Sequence, residues 1–185
     1  NCFLVADPDS REAVLVDPGE YSAAVAALTA PEGFRVGRIL LTHGHIDHVS
    51  GGASAAAALG APLWLHAADL PQLARLGAQA ELFGFGAAEP PAIAHHPVDG
   101  ETFTLGAHEA RVIHTPGHSP GCICLHFPED RILEQPLDGI GEHVGEAQVV
   151  VVAGHGPQPS GRWPKNLRPG DDPVALRSQS SLGRI

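Results

Sequence analysis

Residues 42–51 read THGHIDHVSG, with three histidines and an aspartate spaced as HxHxDH directly after the apolar run RILL. Any fold that accepts this stretch must end a buried strand where four polar groups can share one neighbourhood. Such groups cannot lie side by side away from water cheaply unless a cation accepts their lone pairs. The segment therefore reads as a metal-ligand motif on a loop at the carboxyl end of a strand. On an extended loop His43 and His45 point to one side, while Asp47 and His48 leave at the next turn. The four would serve two neighbouring metal positions as two pairs.

Two further histidines occupy the same place in the chain pattern. His114 follows the strand-like EARVI, within HTPGHSPG, and His155 follows VVVVA, within GHGP. Strand ends are where side chains from distant parts of a chain can meet. Zinc accepts imidazole nitrogen and carboxylate oxygen, and three neutral histidines leave a fourth position open to activate water. His43, His45 and His114 would make such a catalytic site. Histidine is unusually abundant here, twelve against a single lysine. His66, His95, His96, His108, His126 and His143 read as hydrogen-bonded surface residues, and His118 as a residue that stabilises the HSPG loop.

The remaining pattern places these motifs. NCFLVAD and EAVLVDPG read as strands joined by the polar turn PDSRE, and a helix is expected over EYSAAVAALTA. VGRILL is a strand, VSGGASAAAALG a helix and PLWLH a strand. HAADLPQLARLGAQAELFG has its leucines at helical spacing. The stretch 84–97 is loop, ETFTL, EARVIHT, GCICLHF and RIL are strands, and AQVVVV is the last strong one. Helices between strands early, with hairpins later, predict a mixed sheet system covered by helices.

With 185 residues, 43% of them hydrophobic, one well-buried domain is expected, covering 1–156. The segment 157–185 is rich in Pro, Gly and Arg and reads as a loosely held tail. The net charge is -10, and five of the eleven basic residues, Arg162, Lys165, Arg168, Arg177 and Arg184, fall in that tail. Such an acidic body should repel phosphate backbones, which disfavours nucleic acid as a partner. No apolar run approaches a bilayer span, so no membrane partner is expected. Three cysteines, Cys2, Cys122 and Cys124, are too few and too odd for a disulfide framework. They read as buried, inert thiols in a reducing, cytoplasmic compartment. The chain opens at Asn1 and holds no methionine, so the native start is expected to lie outside it.

THGHIDHVSG, HTPGHSPG and GHGP, in that order and with VDPG at 16–19, resemble the metallo-β-lactamase fold superfamily. HTPGHSPG, FPEDRIL and VVVVAGHGP look most like its single-domain hydrolases related to glyoxalase II, the hydroxyacylglutathione hydrolases. The resemblance implies an α/β fold, a four-layer αββα sandwich with metals at one edge. It implies that His43, His45 and His114 hold a first zinc ion and Asp47, His48 and His155 a second. It further implies hydrolysis of thioesters such as S-acylglutathione by a hydroxide held at the metals, the substrate being a small molecule.

The pattern departs from the family after residue 133. A Gly-Asp step whose carboxylate bridges the metals, and a long segment after it, would be expected; EQPLDGIGEHVGE stands there instead. The nearby acid, Asp138, comes one residue late; in a strand such a slip turns a side chain to the opposite face, so Asp138 is a metal-ligand candidate only where a bulge or turn re-aims it. One or two zinc ions are therefore expected, the resemblance implying two; with one alone, Asp47 is free to orient or deprotonate the water. The alternative is a metal-binding relic of such a hydrolase, impaired in catalysis.

Overall fold

A computed structural model describes residues 2–19, 26, 33–86, 88–127, 132–134 and 147–151. Strands β1 (Cys2–Ala6) and β2 (Glu12–Val16) form an antiparallel hairpin. Strand β3 (Arg35–Leu41) lies parallel to β2, and β4 (Leu63–Leu65) parallel to β3. With β9 (Ala147–Val151) beside β1, they make a five-stranded sheet ordered β4-β3-β2-β1-β9. Strands β5 (Thr102–Leu105), β6 (His108–His114), β7 (Ile123–Phe127) and β8 (Ile132–Glu134) make a four-stranded antiparallel sheet in sequence order.

Period-two alternation explains how the sheets stack. Phe3, Val5, Val14, Val16 and Leu40 project toward the other sheet and pack against Leu105, Ala110, Val112, Ile123, Leu125 and Phe127. Their alternates Leu4, Ala6, Leu15, Ile39 and Leu41 project the other way and pack beneath the helices, against Ile46, Val49, Leu63, Leu65, Leu73 and Leu76. Both faces of the five-stranded sheet are thus covered. That is why β1 and the end of β3 read as unbroken apolar runs, without a polar alternate.

Four helices are described: α1 (Ile46–Val49), α2 (Gly52–Leu59), α3 (Leu70–Leu73) and α4 (Leu76–Phe83). Two differences from expectation bear on the motif loops. The second half of HxHxDH is helical, since Ile46 to Val49 form α1, so Asp47 and His48 sit on a helical turn that fixes their spread. The leucine-spaced stretch after β4 is broken into a 3-10 turn at Ala67–Asp69, then α3 and α4, and Pro71 lies at the start of α3, where a missing N–H costs nothing. The helix expected over 20–30 falls outside the described residues except Ala26, which is helical. Among the described residues no helix is long and apolar enough to cross a membrane.

Candidate metal centre

Strands β2 and β3 run parallel and end side by side, and the site begins where they end. Asp17 closes β2 in the left-handed backbone region, with φ at 48°, which aspartate tolerates better than most residues. Its carboxylate is buried and accepts from the Thr42 backbone N–H at 2.7 Å and from the Thr42 hydroxyl at 2.6 Å. It also pairs with His48 Nδ1 at 2.8 Å. Gly19 tightens the same turn: its φ is +54°, and a Cβ there would come within 3.0 Å of the Asp47 carbonyl oxygen.

These bonds settle which ring nitrogens carry hydrogen. The Thr42 hydroxyl gives its proton to Asp17, so at 3.0 Å from His43 Nδ1 its oxygen accepts from that nitrogen. His43 Nε2 is left with a lone pair. In the same way His48 Nδ1 donates to Asp17 and directs Nε2 outward, 3.4 Å from Asp47 Oδ2. Carboxylates and hydroxyls behind a ring are the usual means of fixing the tautomer of a metal-binding histidine.

Three rings meet in front of this layer, and the third belongs to His118. His118 Nε2 lies 2.9 Å from His45 Nδ1 and 3.2 Å from His43 Nε2. The rings stand nearly perpendicular in pairs, at 88° for His43 and His45, 81° for His43 and His118, and 89° for His45 and His118. One nitrogen atom can hold one hydrogen, so it cannot satisfy both neighbours. Around a tetrahedral ion with Zn–N of about 2.0–2.1 Å, adjacent nitrogens sit about 3.3 Å apart. The three donors fit a single divalent cation, and their ligand atoms all lie within 4.8 Å of one another.

Burial, reinforced by the charge of His48, lowers His43 to a pKa of about 4. Burial and then the nearby His118 lower His45. Both rings are therefore neutral near pH 7, the form that binds a metal. His48 behaves in the opposite way. Burial lowers it, but the Asp17 and Asp47 carboxylates outweigh burial and hold it at about 10. Asp47 is brought down to about 2, chiefly by its hydrogen bond with His48 and against its own burial.

The structure exchanges the expected roles of His114 and His118. His114 is the last residue of β6 and pairs with Ile123 across the ladder. Its ring lies flat on His66, centroids 4.2 Å apart, and its Nε2 donates to the Pro120 carbonyl at 2.9 Å. The ladder fixes that residue, whereas the connection between β6 and β7 turns back and carries His118 over His43 and His45. The sequence reading takes His114, at the strand end, as the ligand and His118 as the loop-stabilising residue; the fold places them the other way about.

His48 stands with its ring centroid 4.0 Å from that of His43, and Asp47 Oδ2 lies 3.4 Å from His48 Nε2 but belongs to neither group of converging donors among the described residues. Asp17, His43 and His48 make a second group of mutually close donors, in which the sequence reading had not placed Asp17. Asp138 and His155 lie outside the described residues. The strand before His155 does not follow expectation, however. Strand β9 runs parallel to β1, with Val151 beside Ala6, and β1 is antiparallel to β2. Its carboxyl end therefore points away from the end of the sheet where Asp17 and Thr42 lie. The loops after β3 and β6 are the ones that meet among the described residues.

A model of the metallo-β-lactamase superfamily matches residues 1–133. Hydroxyacylglutathione hydrolase of Cereibacter sphaeroides is 35% identical over 130 residues, 70% of this chain and 44% of that enzyme. Among solved structures, TTHA1623 in a di-iron-bound form is 29% identical with a TM-score of 0.62, covering 85% of this chain and 87% of that one. The B3 metallo-β-lactamase BLEG-1 is 28% identical, also at a TM-score of 0.62, covering 70% and 63% respectively. The chain spans between 42% and 63% of the length of the curated relatives it matches.

Proposed function

The chain belongs to the metallo-β-lactamase superfamily and has its α/β sandwich fold, and from that premise we propose that it is a zinc-dependent hydrolase of thioesters, S-acylglutathione among them. The observation that carries this reading is the convergence of three imidazole nitrogens, from His43, His45 and His118, on one point. A metal held there supplies an acidified water and a Lewis acid for a carbonyl oxygen.

The chain's own groups do the rest. His43 and His45 are neutral at working pH, so neither must release a proton to bind. Asp17, through Thr42, keeps the lone pair of His43 forward. Asp47 is ionised, its side chain is 65% exposed, and it lies against His48 beside the cluster, where it can orient a water. A thiolate leaves without a strong general acid, and no such acid is needed on the other side of the scissile bond. The similarity to hydroxyacylglutathione hydrolase supports the thioester as substrate.

The test is hydrolysis of S-lactoylglutathione by zinc-loaded protein, beside a β-lactam and a phosphodiester. Turnover of the thioester that disappears in His43→Ala supports the reading. Zinc bound tightly with no turnover of any of the three would instead mark an impaired relic, and failure to take up zinc would remove the proposal.

A further inference from the structure

Asp69 belongs to none of the motifs, yet among the described residues it is the most enclosed carboxylate near the centre, with 0% exposure. It ends the 3-10 turn after β4 and receives three hydrogen bonds. The Gly44 backbone N–H donates to Oδ2 at 2.8 Å, the Ser119 hydroxyl to the same oxygen at 2.7 Å, and the Gly121 backbone N–H to Oδ1 at 2.6 Å. Gly44 sits between His43 and His45; Ser119 follows His118 directly. One buried carboxylate thus holds both loops that supply the converging rings.

The glycines make the approach close enough. A Cβ on Gly121 would come within 2.8 Å of the Asp69 side chain, and one on Gly44 within 3.2 Å of the Asp69 carbonyl oxygen. On the far side of the first loop, Gln79 of α4 accepts from the Ile46 N–H at 3.0 Å. The first loop is thereby gripped from both flanks, but only Asp69 reaches the second. No described lysine or arginine pairs with Asp69, so its charge acts on the ring cluster unneutralised by a side chain. A buried anion satisfied by N–H and O–H donors, set behind neutral rings, favours a cation in front of them.

We propose that Asp69 is a positioning residue that sets the spacing of His43 and His45 against His118 and thereby fixes metal affinity at that site. The inference rests on the metal reading above. An asparagine at 69 has one acceptor oxygen, so it must abandon either the Gly44 side or the Gly121 side. Ser119→Ala releases part of the grip on the His118 loop and leaves Gly44 bound.

The experiment is zinc affinity by chelator competition on folded full-length protein, together with the absorption spectrum after cobalt substitution and the melting temperature of the metal-free form. Asp69→Asn should bind zinc about 10- to 100-fold more weakly, the range typical of residues behind metal ligands. Ser119→Ala should weaken zinc less than Asp69→Asn, and both should alter the cobalt spectrum. If Asp69→Asn does not fold, Ser119→Ala decides. Lowered melting temperature with unchanged zinc affinity and an unchanged cobalt spectrum would make Asp69 a mere fold tie and overturn the inference. Wild-type protein that takes up no zinc would overturn the metal reading and the inference together.

Discussion

The two halves of HxHxDH prepare for a cation in opposite ways. His43 and His45 are held neutral, and their ring nitrogens converge with that of His118. Asp47 and His48 instead form a compensated ion cluster, in which His48 carries a proton on each ring nitrogen, Nδ1 facing Asp17 and Nε2 facing Asp47. A metal entering the first group displaces only the hydrogen between ring nitrogens, which no carboxylate holds. A metal that binds His48 through Nε2 must remove the proton facing Asp47. Similar residue types a few positions apart can therefore make one preorganised site and one that binds only in competition with hydrogen ions.

The strongest way to break this contrast is His118→Ala. It removes one of three converging donors, so thioester hydrolysis should fall about 1000-fold or more, and the tight zinc equivalent should vanish from a calorimetric titration. Activity that survives would mean that the first group is not the reactive one.

Asp17 serves both halves, and Asp17→Ala should test that sharing. It leaves the buried His48 and the Thr42 N–H without their partner, so the metal-free protein should lose about 3–5 kcal/mol in urea unfolding, the cost usual for breaking a buried ion pair. A change under about 1 kcal/mol would mean that the pair contributes little beyond its geometry.

pH separates the halves in metal-free protein. His48, raised to about 10, stabilises the fold fully below the ordinary histidine value and loses that contribution as pH rises toward 10. His43, lowered to about 4, works the other way, and stability falls as pH drops through the range between the ordinary value and 4. Asp47, lowered to about 2, adds a further loss at still more acid pH. Urea midpoints should therefore be highest near neutrality and fall on both sides. Stability rising steadily from pH 7 to 9 would contradict the assignment for His48.

The smallest effect is expected at the histidine that the strand pattern favoured. His114→Ala loses a stacked ring and one bond to the Pro120 carbonyl, so zinc-dependent turnover should stay within about 3-fold of wild type, by steady-state assay. A loss as large as that of His118→Ala would reverse the exchange of roles.

Much of this was legible along the chain. The apolar run before Thr42, the spacing of HxHxDH and the VDPG turn place a ligand motif at the end of a strand, and the strands of both sheets follow the apolar pattern. His118 was not legible, because HTPGHSPG repeats its histidine and periodicity does not say which copy the loop turns inward. Asp69 carried no signal at all. In sequence it is an ordinary acid in a helical stretch, and its partners lie 25 residues before it and 50 and 52 after it. The direction of β9 was equally hidden, since an apolar strand reads the same whichever way it pairs.

Local chemistry determined that this chain brings histidines and carboxylates together at a strand end, because no other arrangement of those groups is cheap next to a hydrophobic core. Which imidazole completes the set, which carboxylate braces the loops and which way the last strand runs were decided only by the folded chain. Those outcomes depend on distances between segments far apart in sequence, and side-chain periodicity describes neighbours along the chain, not across it.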